Sequence, residues 1–467
     1  MSDEFRDHCG VVGIFGNPEA SKLTYLALYA LQHRGQDSAG IVANNDGVLS
    51  RHAGIGLVAD VFDEPTLERL KGRTAIGHVR YTTAGKAGLK DAQPLLVKTG
   101  HGYFSVAHNG NLVNATSLRE EMERAGNIFQ TDADTELFCH LYAQSRATDI
   151  ISRLKESLSR VVGAYSLCIL ADDCLIAVRD PFGVRPLSLG RIGDGYAIAS
   201  EDCAFDLIEA KKMREVEPGE IVVISKDGVR SEHFGANPKG DQGGQRHAQC
   251  IFEHVYFARP DSHPFGISAY ASRVALGEEL AREAPAKADV VIAVPDSGVI
   301  AAMGYARAMN LPFETGLVRN HYVGRTFIEP ESRIRHFGVR LKLSPVRSVV
   351  ENKRLVVIDD SIVRGTTSRK IVKMIRQAGA REIHLRIAAP RTLYPCFYGI
   401  DTPVRSELIA ATHSLEEIRK YLDVDSIEYL SVDGMHRAVA SAAREKECSR
   451  LRRNMCDACF SGDYPIV

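Results

Sequence analysis

What the sequence lacks narrows its function first. It has almost no net charge: 58 lysines and arginines stand against 59 acids, a formal −1. No global field draws such a chain to nucleic acid or to an anionic membrane, so any basic site must be local. It has no apolar run near the roughly 20 residues that span a bilayer. Its opening residues, MSDEFRDH, carry acids where a secretory signal would carry an apolar core. Cysteine is sparse, with ten in 467 residues, which excludes the dense disulfide framework of a small secreted domain. A cytoplasmic protein with neither a membrane nor a nucleic-acid partner is expected, its cysteines being free thiols, metal ligands or catalysts. What is present is 45% hydrophobic and 25% charged, a composition that builds sizeable cores over two or more domains.

Two textures divide the chain. From Cys9 to about Ser231, short apolar runs such as AIGHVRY, YSLCIL and CLIAV are punctuated by Gly, Asp and Asn turns. That pattern predicts an α+β domain of layered antiparallel sheets over 9–240, behind a short leader at 1–8. A glycine-rich polar stretch around 233–247 reads as a linker. From Cys250 onward, continuous apolar runs end in polar loops: ADVVIAVPDSG, KRLVVIDDSIVRGTTS, EIHLRIAAP. Helical patterns such as SRKIVKMIRQAGA lie between them. Buried strands alternating with helices predict an α/β domain with a parallel sheet over 250–467, closed by a charged helix and a cysteine-bearing tail.

Five strings follow one another in the first half: CGVVGIFG (9–16), QHRGQDSAGI (32–41), GHVRYTTAG (77–85), AHNGNL (107–112) and QTDADTE (130–136). Amide hydrolysis needs a nucleophile, a base, an oxyanion hole and a clamp for the amino acid, and the five strings carry residues of those kinds. In this order and spacing they resemble the class II glutamine amidotransferases, whose glutaminase domain is an N-terminal-nucleophile hydrolase. The resemblance implies that the leader is removed and that Cys9 becomes the first residue. Its own α-amino group then serves as base, with an unperturbed pKa of about 7.7–8.0. It further implies that Asn109 and Gly110 form the oxyanion hole. Arg80 would fork onto the glutamine α-carboxylate, with Thr83 beside it. Asp134 would hold the α-ammonium, and Arg34 with Gly35 would belong to a loop closing over glutamine.

In the second half, VVIDDSIVRGTTS (356–368) is the most specific string. A buried strand ends in two carboxylates, and a small polar loop then opens a helix. Backbone N–H groups and hydroxyls at such a helix start suit a phosphate, and carboxylates at the strand end face ligands in open α/β sheets. The string resembles the phosphoribosyl pyrophosphate signature of type I phosphoribosyltransferases. It implies a 5-phosphate cradle from Ser361, Arg364, Gly365, Thr366, Thr367 and Ser368. Asp359 and Asp360 would then take the ribose hydroxyls and support Mg²⁺, an ion that prefers oxygen. AVPDSGVIAA (293–302) matches the pyrophosphate loop, with Ser297 near the metal. The arginine-rich stretch from Arg319 to Arg347 reads as a lid over a polyphosphate; a solvated basic face or a nucleic-acid patch is the competing reading.

Cys139, Cys168, Cys174 and Cys203 lie in apolar contexts and read as core. Cys456 and Cys459 form a CxxC pair, a spacing that lets two thiolates meet one centre. Four thiolates suit zinc or an iron–sulfur cluster, and geometry alone favours zinc.

A glutaminase joined to a phosphoribosyl site resembles the amidophosphoribosyltransferase family. The resemblance implies synthesis of 5-phosphoribosylamine from glutamine and phosphoribosyl pyrophosphate, inhibition by purine nucleotides, and a homodimer or homotetramer. One branch of the family carries a 4Fe–4S cluster, and the matching ligands here are Cys250, Cys396, Cys456 and Cys459. Other class II amidotransferases share the first half but not VVIDDSIVRGTTS. A non-catalytic phosphoribosyl-pyrophosphate-binding regulator would have no use for the set at Cys9, Arg80, Asn109, Gly110 and Asp134.

Overall fold

The computed structural model describes residues 9–81, 88–171, 173–234, 246–320, 343–402, 404–443 and 448–466, with the side chains of 448–450 left aside. The first half holds two antiparallel sheets. One has seven strands, with Gly10–Phe15 between Gly195–Ala199 and Thr74–Arg80. The other has six, with Gly102–Leu112 paired to Gly163–Ala171. Strand alternation decides what each side chain meets. On Gly10–Phe15, Val11 faces the second sheet in a core with Ala107, Cys168 and Leu175. Val12 and Ile14 face the helix Ala20–Ala30 on the outside. Helices Glu136–Gln144 and Ile150–Leu158 cover the outer face of the six-stranded sheet, against Phe104, Val106 and Tyr165. The result is helix, sheet, sheet, helix, the layered α+β arrangement that the short alternating strands predict.

The second half is built on four parallel strands in the spatial order Val290–Ala293, Arg354–Asp359, Glu382–Ile387, Ser426–Tyr429. Both faces are covered, which is why these strands read as continuous apolar runs. Val356 and Ile358 pack with Leu276 and Tyr305 of helices Ala269–Glu283 and Val299–Met309. Leu355 and Val357 pack with Ile371 and Ile375 of Thr366–Gln377. In the charged stretch near the end of the chain, Val432–Ala442 and Cys448–Arg453 are helical.

The halves share a core. Ala164 and Val184 from the first pack in one apolar cluster with Phe252, Tyr398 and Cys456 from the second. A two-stranded parallel ladder pairs Gln249–Cys250 with Met455–Cys456, in register Cys250 to Cys456, and so fastens the tail to the start of the second half. Among the described residues no helix is long and apolar enough to cross a membrane.

Candidate active sites

A cavity of about 660 Å³ opens where strands Thr74–Arg80 and Gly102–Leu112 end. Cys9, Arg80, Gly110 and Asp134 stand on its wall, so four residues taken from separate strings of the sequence meet at one place. The Cys9 thiol contacts the Tyr81 carbonyl at 3.8 Å. Burial pushes that thiol above its ordinary range, against the pull of the Tyr81 hydrogen bond and Arg80. It is therefore protonated at neutral pH and needs a base to become a nucleophile.

The Asn109 side chain is wholly buried, and neither its oxygen nor its nitrogen has a hydrogen-bond partner. An unpaired buried amide costs about 1–3 kcal/mol, a cost tolerated where a ligand completes the bond. Gly110 beside it has φ of +149°, and a Cβ there would fall 2.0 Å from the Ala164 carbonyl oxygen; only glycine fits. Asp134 accepts a hydrogen bond from the Leu112 N–H at 2.9 Å and lies 3.4 Å from His108. Burial would raise its carboxyl, but His108 and the backbone donors outweigh burial and hold it below the usual carboxylate range. A carboxylate so held is negative at neutral pH and ready for an ammonium. Thr83 lies outside the described residues.

Arg34, expected in a loop that closes over glutamine, lies behind the cavity in this structure. It is 1% exposed, off the cavity wall, and enclosed by carboxylates. It pairs with Glu201 and, at 2.8 Å, with Glu253, while its Nε donates to the Cys9 carbonyl at 3.2 Å. Arg185 reaches the same Glu253 at 3.3 Å. Burial would raise the Glu201 carboxyl, but His33 and Arg34 overcome it and hold the group well below the usual range. This buried network crosses the seam between the halves. Removing one partner of a buried pair typically costs about 3–5 kcal/mol because the other charge is left uncompensated. Glu253→Ala is therefore expected to lower unfolding free energy by about that amount, measured by denaturant titration; a loss under about 1 kcal/mol would contradict this account.

The sequence gives no sign of the cavity's far wall. Phe397, Gly399, Tyr464 and Ile466 come from the second half, and the Asn111 amide donates to the Phe397 carbonyl at 2.9 Å.

The second site lies at the carboxyl ends of Val290–Ala293 and Arg354–Asp359, neighbours in the parallel sheet. Asp359 closes its strand and Asp360 follows. The hydroxyls of Ser297 and Ser361 both donate to Asp360 at 2.5 Å, so the two loops expected to cooperate do meet. Burial raises the Asp360 carboxyl, against those serine hydrogen bonds. Gly365, at φ +77°, turns the chain into the helix that starts at Thr366, and Ser368 is buried in its first turn. Arg364 is paired with Glu407 at 2.7 Å, so in this state its guanidinium serves that carboxylate. The basic stretch begins and ends in paired strands, Leu317–Arg319 with Leu343–Pro345, and Arg319 reaches Asp296 of the pyrophosphate-loop string at 2.6 Å. Residues 321–342 between them lie outside the described set.

Cys250, Cys396, Cys456 and Cys459 all wall one small cavity, with about 300 Å³ of atom-free space. The Tyr398 N–H donates to the Cys396 sulfur at 3.3 Å. Burial pushes the Cys250 thiol up to about 11, and Cys456 and Cys459 higher still. No three His, Cys, Asp or Glu among the described residues group as ligands of a metal ion. Cys139, Cys168 and Cys203 are buried, as core residues should be; Cys174 is half-buried at the edge of its core.

Fold and sites together define a glutamine amidotransferase joined to a phosphoribosyltransferase, and known proteins bear this out. Residues 78–206 match a glutamine amidotransferase domain model and 273–391 a phosphoribosyl transferase domain model. The chain is 52% identical to "Amidophosphoribosyltransferase 1, chloroplastic" of Arabidopsis thaliana, over 99% of this chain and 79% of that one. It is 48% identical to the amidophosphoribosyltransferase of Bacillus subtilis (strain 168), over 98% and 94%. A solved structure of glutamine phosphoribosylpyrophosphate amidotransferase from B. subtilis, complexed with ADP and GMP, aligns with a TM-score of 0.90 at 48% identity, covering 98% of each chain. The chain belongs to the amidophosphoribosyltransferase family.

Proposed function

We propose that the chain catalyses the family's reaction, the first step of purine biosynthesis: glutamine, water and phosphoribosyl pyrophosphate give glutamate, 5-phosphoribosylamine and pyrophosphate. The observation that carries the reading is the cavity that joins Cys9 to Arg80, Gly110 and Asp134, with the orphaned Asn109 amide alongside. Arg80 holds the glutamine α-carboxylate, with Thr83 as a further contact, and Asp134 holds the α-ammonium. Once residues 1–8 are removed, the α-amino group of Cys9 takes the thiol proton. The sulfur attacks the carboxamide carbon, and Asn109 and the Gly110 N–H receive the oxyanion. The proton leaves with ammonia, and water releases glutamate from the thioester.

Ammonia then displaces pyrophosphate at the second site. The Ser361–Ser368 loop holds the 5-phosphate, and the Asp359 and Asp360 carboxylates accept from the ribose hydroxyls. Two carboxylates beside a polyphosphate suit Mg²⁺, which keeps most of its ligands as water and phosphate; when bound near Ser297 it offsets charge on the departing pyrophosphate. The stretch 319–347 closes over the substrate and excludes water. Mixing protein with both substrates and assaying glutamate and pyrophosphate tests the whole reading. Release of glutamate alone, or of neither, would refute it.

We also infer that the four thiols hold a 4Fe–4S cluster. The four cysteines wall one cavity, and four thiolates suit such a cluster. The cluster supplies structural bonding, since metal binding contributes directly to folding. Anaerobically purified protein is expected to be brown, with iron and acid-labile sulfide near about four each per chain. Cys456→Ser is expected to bleach it and lower stability; zinc without sulfide would replace the cluster with a structural zinc site. Feedback inhibition by purine nucleotides, a homodimer or homotetramer, and a cytoplasmic location complete the proposal.

A further inference from the structure

The wall that the second half lends to the glutaminase cavity touches its most demanding part. The segment Cys396–Ile400 runs across the end of strand Gly102–Leu112 and is clamped there at three successive residues. Asn111 donates to the Phe397 carbonyl at 2.9 Å. Arg185, itself wholly buried, donates to the Tyr398 carbonyl through Nε at 3.1 Å and Nη2 at 2.9 Å. Gly399 then lies flat against Gly110: a Cβ on Gly399 would stand 3.0–3.2 Å from the Gly110 carbonyl carbon, oxygen and Cα. From another direction Gly110 is closed by Ala164, whose carbonyl oxygen lies 2.0 Å from the position of a Gly110 Cβ. Its backbone is thus held between a sheet neighbour of its own half and a glycine 289 positions later in the chain.

Carbon contacts are comfortable at about 3.5–4.0 Å. A Cβ on Gly399 would press the Gly110 backbone aside by a few tenths of an ångström, and the φ of +103° is one that glycine adopts without strain. Nothing about the parallel sheet requires this contact, since the 396–400 segment lies outside its strands.

We propose that Gly399 is a positioning residue for glutamine hydrolysis: together with Phe397 and Tyr398 it fixes the Gly110 N–H where the oxyanion develops. The proposal rests on the reading of Gly110 as an oxyanion donor. The glutaminase is then incomplete without the phosphoribosyltransferase half, because one side of its oxyanion hole is set by that half. An oxyanion donor works through preorganisation, and a shift of about 1 Å can cost 100-fold in rate. Asp134 takes its backbone hydrogen bond from Leu112 and Arg80 faces Asp91, so binding of glutamine should be spared.

Gly399→Ala tests this directly in the full-length, processed enzyme. Glutamine-dependent kcat should fall about 10- to 100-fold. KM for glutamine should stay within about threefold, and ammonia-dependent synthesis should match the parent. Cys9→Ala is assayed alongside. If Cys9→Ala loses glutamine use while Gly399→Ala keeps its kcat, the positioning role is overturned and the site reading stands. If Cys9→Ala keeps glutamine use, the site reading itself falls. Should Gly399→Ala lose both activities in parallel, Asn111→Ala decides, because it releases Phe397 without adding bulk. A selective fall in glutamine-dependent kcat there supports the proposal; parallel loss again, or no change, overturns it.

Discussion

Cys9→Ala is expected to abolish synthesis from glutamine while synthesis from ammonia continues at the parent rate. The loss should reach background, since removing the nucleophile from a covalent mechanism costs on the order of a million-fold. The survival of the ammonia reaction is the informative half. Cys9 stands on the wall of the first cavity, and the Asp359–Asp360 site lies at the strand ends of a separate sheet. A methyl in place of a half-buried thiol changes little volume, so a global collapse would have no cause. N-terminal sequencing of the active parent enzyme should begin at Cys9, because the proposed base is its own α-amino group. An active enzyme that retains residues 1–8 would sink this mechanism, and so would parallel loss of both activities in a folded Cys9→Ala protein.

The opposite pattern is expected from Asp359→Asn combined with Asp360→Asn. Transfer should fail with either nitrogen donor, by about 1,000-fold or more if each lost electrostatic contact costs about 100- to 1,000-fold. Asp360 accepts from Ser297 and Ser361 and thereby ties two substrate loops together. Amides of the same shape keep the packing but lose the charge that a metal–polyphosphate complex requires. Hydrolysis of glutamine to glutamate, measured alone, should persist in this variant. Robust ammonia-dependent turnover would count decisively against the assignment.

Why one site was more legible than the other follows from their construction. Asp359 and Asp360 end a strand buried on both faces, so a run of apolar residues announces them, and the loop that follows is local in sequence. The same holds for Asn109, Gly110 and Arg80, each at or near the end of a strand that its own pattern predicts. Arg34 was legible as part of a motif but not in its role. Only the fold brings Glu201 and Glu253 to it, across separations of 167 and 219 residues. Gly399 and Tyr464 had no sign at all, because what makes them part of the cavity is the docking of one half on the other. The four cysteines fall between these cases. The CxxC spacing is local, but Cys250 reaches it through the ladder pairing Gln249–Cys250 with Met455–Cys456, and the Cys396 segment through the Leu393 and Tyr394 N–H groups, which donate to the Cys459 carbonyl.

The buried network of Arg34, Glu201, Glu253 and Arg185 is complete only when both halves of the chain are present. A chain emerging from the ribosome delivers its N-terminal half first and tends to fold it as a unit. At that moment Arg34 has Glu201 but not Glu253, and Arg185 has neither Glu253 nor the Tyr398 carbonyl. The early glutaminase half thus carries cationic charge that is neutralised only after later residues arrive. A truncated chain that ends before Glu253 would leave Arg34 and Arg185 without that partner.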